Sequence, residues 1–179
     1  ATQATDLAPG LELSDADAAD GSQGQLSQAV VVIPNYDAAH DQFKFADVEV
    51  AAGQTGEAVG EAGITLATVE SSGTLTLTLS AGADASAPAS DFQTVLRTLT
   101  YQNTADAPVE DPRTLTLSVT DTSVESATTE STLTLNVTGE NDAPVIEGWS
   151  DADQGNSARI YIEGATQATD LAPGLELSD

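Results

Sequence analysis

The sequence predicts an all-β protein built as an antiparallel β-sandwich. Its main signal is the strict alternation of apolar and polar residues over 74–79, 113–120 and 131–138. A period of two is typical of strands with one face in the core and one in water. Turn residues separate the alternating stretches, as they do in β-sandwiches. Aromatic residues make up only 4% of the chain, so leucine, valine, isoleucine and alanine are expected to fill the interior.

Further strands are predicted at 28–33, 42–50, 63–69 and 159–163. The letters ESSG at 70–73 predict a hairpin turn between the third of these strands and the alternating stretch that follows it. These elements account for most of the predicted sheet.

One helical turn is predicted, at 90–96, where two apolar residues lie four positions apart. Ser90 or Asp91 is the expected N-terminal cap, because a side-chain oxygen at that position can accept a free backbone N–H. We expect no other helix.

The chain contains the same fifteen letters twice, ATQATDLAPGLELSD, at residues 1–15 and 165–179. Since the copies begin at residues 1 and 165, the period is 164 residues. Short solenoid repeats run at roughly 20–50 residues, whereas 164 is the size of a whole domain. The repeat therefore predicts one unit of a tandem array of domains.

Charge and composition exclude several classes of function. There are 29 acidic residues against four basic ones, a net charge of −25, so the chain is expected to repel nucleic acid and anionic membranes and to attract cations. Without cysteine there is no disulfide, thiolate metal site or thiol nucleophile. His40 is the only histidine, and no nucleophile–histidine–acid arrangement is suggested. We therefore expect no enzyme, and no membrane insertion by this fragment, because no apolar run approaches the roughly 20 residues needed.

Two stretches carry a resemblance to a known family. Residues 96–123, LRTLTYQNTADAPVEDPRTLTLSVTDTS, and 131–146, STLTLNVTGENDAPVI, resemble the cadherin-like domains repeated in tandem in giant bacterial surface adhesins, including those of the RTX type. The most specific parts are NDAP at 141–144, DAD at 15–17, and the spacing between TYQNT and RTLTLSVTD. The family pattern has glycine after the aspartate of VTD, whereas Thr122 stands there in this chain.

The resemblance implies an immunoglobulin/cadherin-like β-sandwich within a tandem array. NDAP would close one domain and open the next, so residues 1–142 would form a sandwich lacking its first strand region. Residues 143–179 would then be the linker and first strand region of the following repeat. The implied function is that of a non-enzymatic extender in a secreted adhesin on the bacterial surface. It would project a distal ligand-binding domain for adhesion and biofilm formation, with identical repeats as its head-to-tail partners.

Calcium is the expected cofactor, because it takes six to eight oxygen ligands and tolerates irregular geometry. Counting strand reversals places the loop 104–112 at the pole where the chain leaves the domain, beside 140–142. The same count places Asp121 at the opposite pole, with Asp15 and Asp17 if residues 11–14 form the second strand. Junctions between repeats would then bring two sets of acids together, and the candidate ligands are Asp15, Asp17, Asp106, Asp121, Glu140, Asn141, Asp142, Asp151, Asp153 and Glu163.

Two alternative functions remain open from the sequence: a lectin-like sandwich that binds carbohydrate, and a filament subunit that donates a strand to its neighbour. Two arrangements are also open for the tail, residues 143–179. It can fold back on its own domain, or it can dock on another molecule and complete that molecule's sheet. The NDAP linker should carry the chain away from its parent domain, which favours docking between molecules.

Overall fold

The computed structural model describes residues 3–14, 24–60, 63–122, 127–139, 145–147 and 176–178. The chain divides into two compact units, Ala1–Gly139 and Glu140–Asp179, called unit 1 and unit 2. The predicted strand at 159–163 lies outside the described residues.

The described part of unit 1 consists of short strands and one helix. In chain order the elements are β1 (Thr5–Asp6), β2 (Gln25–Ile33), β3 (Asp41–Phe45), β4 (Val48–Glu49), β5 (Glu57–Val59), β6 (Ile64–Ser71), β7 (Thr74–Ser80), β8 (Ala87–Pro88), α1 (Ala89–Leu96), β9 (Leu99–Asn103), β10 (Arg113–Asp121) and β11 (Thr128–Leu135).

These strands form two antiparallel sheets. The larger has the order β11-β10-β2-β7-β6-β5, with β8 paired to β2, and the smaller has the order β1-β9-β3-β4. One apolar core contains residues of both sheets, so the sheets pack face to face. The prediction of an all-β antiparallel sandwich is confirmed at this level.

The core follows from the two-residue period of the strands. In β7 the leucines Leu75, Leu77 and Leu79 are fully buried, and the threonines between them face outward. Phe43 and Phe45 of β3 face them from the smaller sheet's side of the core. The helix α1 adds Phe92, Val95 and Leu96.

The predicted hairpin at 70–73 is confirmed, with Ser71 opposite Thr74 in the register of β6 and β7. Its two-residue loop has positive φ at both positions, 51° at Ser72 and 74° at Gly73. Such a loop matches the right-handed twist of the flanking strands.

Three predicted elements have different limits in the structure. The single strand expected at 42–50 is a hairpin of β3 and β4, because Ala46 takes a left-handed φ of 50° and reverses the chain. The helix α1 begins at Ala89, so Pro88 occupies the cap position and no side chain caps it. The prediction of Ser90 or Asp91 as the cap is therefore wrong, and Asp91 lies in the first turn. Residues 11–14 form no strand with any described residue.

The strand expected at 131–138 is shifted and more exposed than its pattern suggested. It is β11, Thr128–Leu135, and Leu133 on it is 41% exposed. The reason is its position at the edge of the larger sheet, where it pairs with β10 alone. Val137, beyond the strand, is buried.

The described part of unit 2 is a pair of short antiparallel strands, β12 (Val145–Glu147) and β13 (Glu176–Ser178). Their register places Ile146 opposite Leu177. β13 belongs to the second copy of the repeated fifteen residues.

Candidate functional site

Unit 1 carries its described candidate ligands at opposite ends of β10. The loop 104–112 leads into Arg113 at the start of β10, and Asp121 is the strand's last residue. Because a strand rises about 3.4 Å per residue, the two ends of β10 lie about 27 Å apart. Asp121 thus ends β10, whereas the loop that carries Asp106 precedes it, and the assignment of the two residues to opposite poles stays a prediction.

The acidic loop 104–112 lies beside the end of unit 1. The backbone N–H of Gly139 donates a hydrogen bond to the Glu110 carboxylate, at 2.8 Å. Asp106, Glu110 and Asp111 are exposed on this loop. The contact agrees with the predicted position of the loop as far as Gly139.

The remaining candidates lie outside the described residues: Asp15, Asp17, Glu140, Asn141, Asp142, Asp151, Asp153 and Glu163. Within the described ranges, no three carboxylate or imidazole side chains come together as a metal-binding group.

The residues that flank the acidic loop, Asn103 and Arg113, belong to a buried polar network centred on Asp41, whose side chain is fully buried. Arg113 Nη2 lies 3.1 Å from Asp41 Oδ2. The Tyr101 hydroxyl and the Asn103 amide donate to Oδ1 at 2.7 and 2.8 Å. The backbone N–H of Asp37 donates to Oδ2 at 2.8 Å. One carboxylate thus joins β3, β9 and β10.

Arg113 completes the network. Its Nη1 donates to the Tyr101 hydroxyl at 2.7 Å, and its Nε donates to the carbonyl of Asn35 at 3.0 Å. Burial, followed by the hydrogen bond to Asp41, raises the pKa of the Tyr101 phenol above its ordinary value. The phenol therefore stays protonated and can donate to Asp41.

This network was not among the predicted sites, although the sequence contains a signal for it. In β3, Asp41 shares the two-residue period of Phe43 and Phe45, which are core residues. In β10, Arg113 stands in the same way two positions before the buried Leu115. An acid and a base at two inward-facing positions predict a buried pair, since neither is stable there alone.

His40 lies at the same end of the unit, on the surface. Its Nδ1 is 2.8 Å from Asp37 Oδ2, and both side chains are more than 40% exposed. The hydrogen bond from His40, followed by one from the Ala39 N–H, lowers the pKa of Asp37. The pair shapes the turn that precedes β3.

At the opposite end, hydrogen bonds to β2 and to Ala127 hold the residues around Asp121. The register of β10 against β2 shifts between Thr120 and Asp121, which marks a bulge. The Asp121 N–H donates to the Ala127 carbonyl at 3.1 Å. The Thr122 N–H donates to the Gln25 carbonyl at 3.2 Å. Backbone hydrogen bonds thus fix both residues that follow the register shift.

The described basic side chains are all engaged. Lys44 pairs with Glu49 at 2.8 Å, Arg97 donates to the Leu11 carbonyl at 2.7 Å, and Arg113 is buried against Asp41. The fourth basic residue, Arg159, lies outside the described residues. No described lysine or arginine is therefore left to neutralise the acids of the loop 104–112.

Comparison of the chain with known protein families, with curated proteins and with solved structures finds no match. Among the residues that the structure describes, no helix is long and apolar enough to cross a membrane.

Proposed function

We propose that this chain is a structural, non-enzymatic extender module of a long bacterial cell-surface adhesin of the RTX type, stiffened by calcium at the junctions between identical repeats. It would act outside the cell, holding a distal ligand-binding domain away from the surface for adhesion and biofilm formation. The observation that carries the proposal is the exact recurrence of fifteen residues at a period of 164, the length of a whole domain. An array of such units is a spacer whose reach grows with the number of repeats.

The position of the acidic loop supports the calcium part of the proposal. Glu110 holds this loop against Gly139, and Glu140, Asn141 and Asp142 follow directly in the sequence. Carboxylate and amide oxygens are the ligands that calcium prefers. No described cation is left to balance these acids, so they repel one another unless a bound metal ion neutralises them. Calcium would replace that repulsion with shared coordination across the junction.

Calcium titration of the full chain by calorimetry, with magnesium as the control ion, tests this function. Calcium that binds only the folded state should raise the free energy of unfolding by about 2.7 kcal/mol at a hundred times its dissociation constant. Asp142→Ala should reduce both the binding heat and the rise in melting temperature. Glu49→Ala is the matched control, because Glu49 pairs with Lys44 on a strand surface. A melting temperature that is the same in calcium and in chelator would contradict the proposal.

A further inference from the structure

The tripeptide Glu-Leu-Ser occurs once in each copy of the repeated fifteen residues, and its surroundings differ between the two. In unit 2 it is β13, which pairs with β12 in the register Val145↔Ser178, Ile146↔Leu177 and Glu147↔Glu176. In unit 1 the same tripeptide is residues 12–14, and no described strand pairs with it. Identical residues have the same capacity to pair, so residues 12–14 can form the same strand pair as residues 176–178.

Residues 11–14 of unit 1 already have the pattern of a strand. Leu11 and Leu13 are half-buried against the core, whereas Glu12 and Ser14 are exposed. The Leu13 N–H donates to Gln93 Oε1 at 2.7 Å, and Arg97 Nε donates to the Leu11 carbonyl at 2.7 Å. Side chains near α1 therefore satisfy one side of this segment.

The other side of the segment has no partner among the described residues. Backbone groups point alternately to the two sides of an extended chain, so those of Glu12 and Ser14 face away from the partners of Leu11 and Leu13. No described residue forms a hydrogen bond with the backbone of either residue. An unpaired edge of this kind is a template for another strand.

An apolar groove of about 310 Å³ adjoins the same segment. Its lining includes Leu7 and Leu11 together with Leu115, Leu117 and Leu133. Leu133 is 41% exposed there, on the edge strand β11. The groove reaches this segment at Leu11, so a strand that paired with residues 12–14 would lie beside the groove and reduce its contact with water.

We propose that residues 12–14 of one molecule pair with Val145–Glu147 of a second copy of this chain, in the register seen between β12 and β13. Val145 would then lie opposite Ser14, and Glu147 opposite Glu12. Ile146 would lie opposite Leu13 and on the same face, toward the core. The inference rests on the head-to-tail array of the proposed function and is independent of its calcium sites.

The pairing within unit 2 competes with this association. Residues 12–14 and 176–178 offer β12 the same three residues as a partner. Which of the two pairs with β12 therefore depends on effective concentration and on the burial of apolar surface. Pairing within one chain has the advantage of a high effective concentration. Pairing between molecules adds burial at the apolar groove, and it should become prominent as the protein concentration rises.

Sedimentation of the full chain over a range of concentrations, in chelator, tests the inference with two matched variants. Ser178→Pro removes a backbone donor from the competing copy and should strengthen self-association about tenfold. Ser14→Pro removes the same donor from the acceptor and should weaken self-association by a similar factor. Far-UV circular dichroism checks that unit 1 keeps its sheets in both variants. Association that both variants change in the same direction, or that neither changes, overturns the inference.

A cross-link provides a second measurement that does not depend on proline. The chain has no cysteine, so every introduced thiol is unique. Ser14→Cys protein mixed with Val145→Cys protein should form a mixed disulfide, because directly opposite positions have the required spacing. Glu12→Cys mixed with Val145→Cys is the off-register control and should cross-link several-fold less. Equal yields of mixed disulfide from the two mixtures overturn the inference. Calcium stabilisation without any association would leave the extender function standing and reject this pairing alone.

Discussion

Asp41 is the residue whose side chain links three strands of unit 1. Its buried carboxylate in β3 faces Arg113 of β10 and accepts a hydrogen bond from Tyr101 of β9. Such a pair need not stabilise more than apolar packing would, but breaking it leaves a buried charge without its partner. The network therefore constrains how β3 and β9 of the smaller sheet meet β10 of the larger one.

Asp41→Ala should lower the free energy of unfolding by about 3–5 kcal/mol, because it leaves the buried Arg113 guanidinium without a negatively charged partner. Glu49→Ala breaks the exposed pair with Lys44 and should cost no more than about 1 kcal/mol. Urea denaturation in chelator measures both without interference from metal. Equal losses in the two variants would show that the buried pair has no special role.

Tyr101 predicts how unit 1 responds to alkali. Its folded-state pKa is raised by burial and by Asp41, so the folded protein holds the phenolic proton more tightly than the unfolded chain does. Its contribution to stability is therefore complete below the ordinary pKa of 10.0 and is lost as the pH rises through the higher folded value. Unfolding free energy should fall above about pH 10, with a shallower fall in Tyr101→Phe. Parallel pH profiles for the two proteins would contradict this assignment.

At the scale of elements, the sequence predicted the strands and turns whose conformation depends on neighbouring residues in the chain. Alternation predicted β7 and β10, and the turn between β6 and β7 was predictable because Gly73 readily takes a positive φ. The break at Ala46 has no such signal, since alanine rarely takes a left-handed conformation. The exposure of Leu133 follows from β11 being an edge strand, which the order of strands in the sheet decides.

Gly82, in the turn after β7, is the position where a side chain is least tolerable. Its φ is 61°, and a Cβ there would overlap the backbone carbonyl oxygen of Gly63. Gly53 has a φ of 80° but no atom within 4 Å of such a Cβ. Both alanine variants incur the left-handed backbone cost of about 1–2 kcal/mol.

Gly82→Ala should therefore lose at least about 1 kcal/mol more unfolding free energy than Gly53→Ala, since only the first forces backbone apart. Chemical denaturation of the two variants gives the difference directly. If Gly53→Ala were the more destabilised protein, the proposed close approach of the Gly63 and Gly82 turns would be wrong.

At the scale of the whole molecule, the dominant electrostatic feature is an excess of acidic side chains that repel one another. The net charge is −25, and the described basic residues are already held by Glu49, Asp41 and the Leu11 carbonyl. Composition alone predicted an affinity for cations but not their positions. Counting strand reversals predicted that Asp106 and Asp121 lie at opposite ends, because antiparallel order fixes direction. The geometry of the candidate ligands depends on loops. The two-residue period predicts strands and carries no information about loop conformations.

Calcium stiffening of the junction is the central claim, and the distance between labels on the two units tests it most directly. Cysteines introduced at the exposed Ala83 of unit 1 and at Gln167 of unit 2 are the only thiols available to spin labels. Gln167 repeats Gln3, which is exposed in unit 1. Dilution with unlabelled chain removes distances between molecules from the measurement.

Pulsed electron resonance should give a single narrow distance distribution in calcium and a broad one in chelator. Magnesium should leave the distribution broad, and so should calcium added to the Asp142→Ala chain. A distribution of the same width in calcium, magnesium and chelator would contradict the account, because the acids would then have no part in holding the repeats in line.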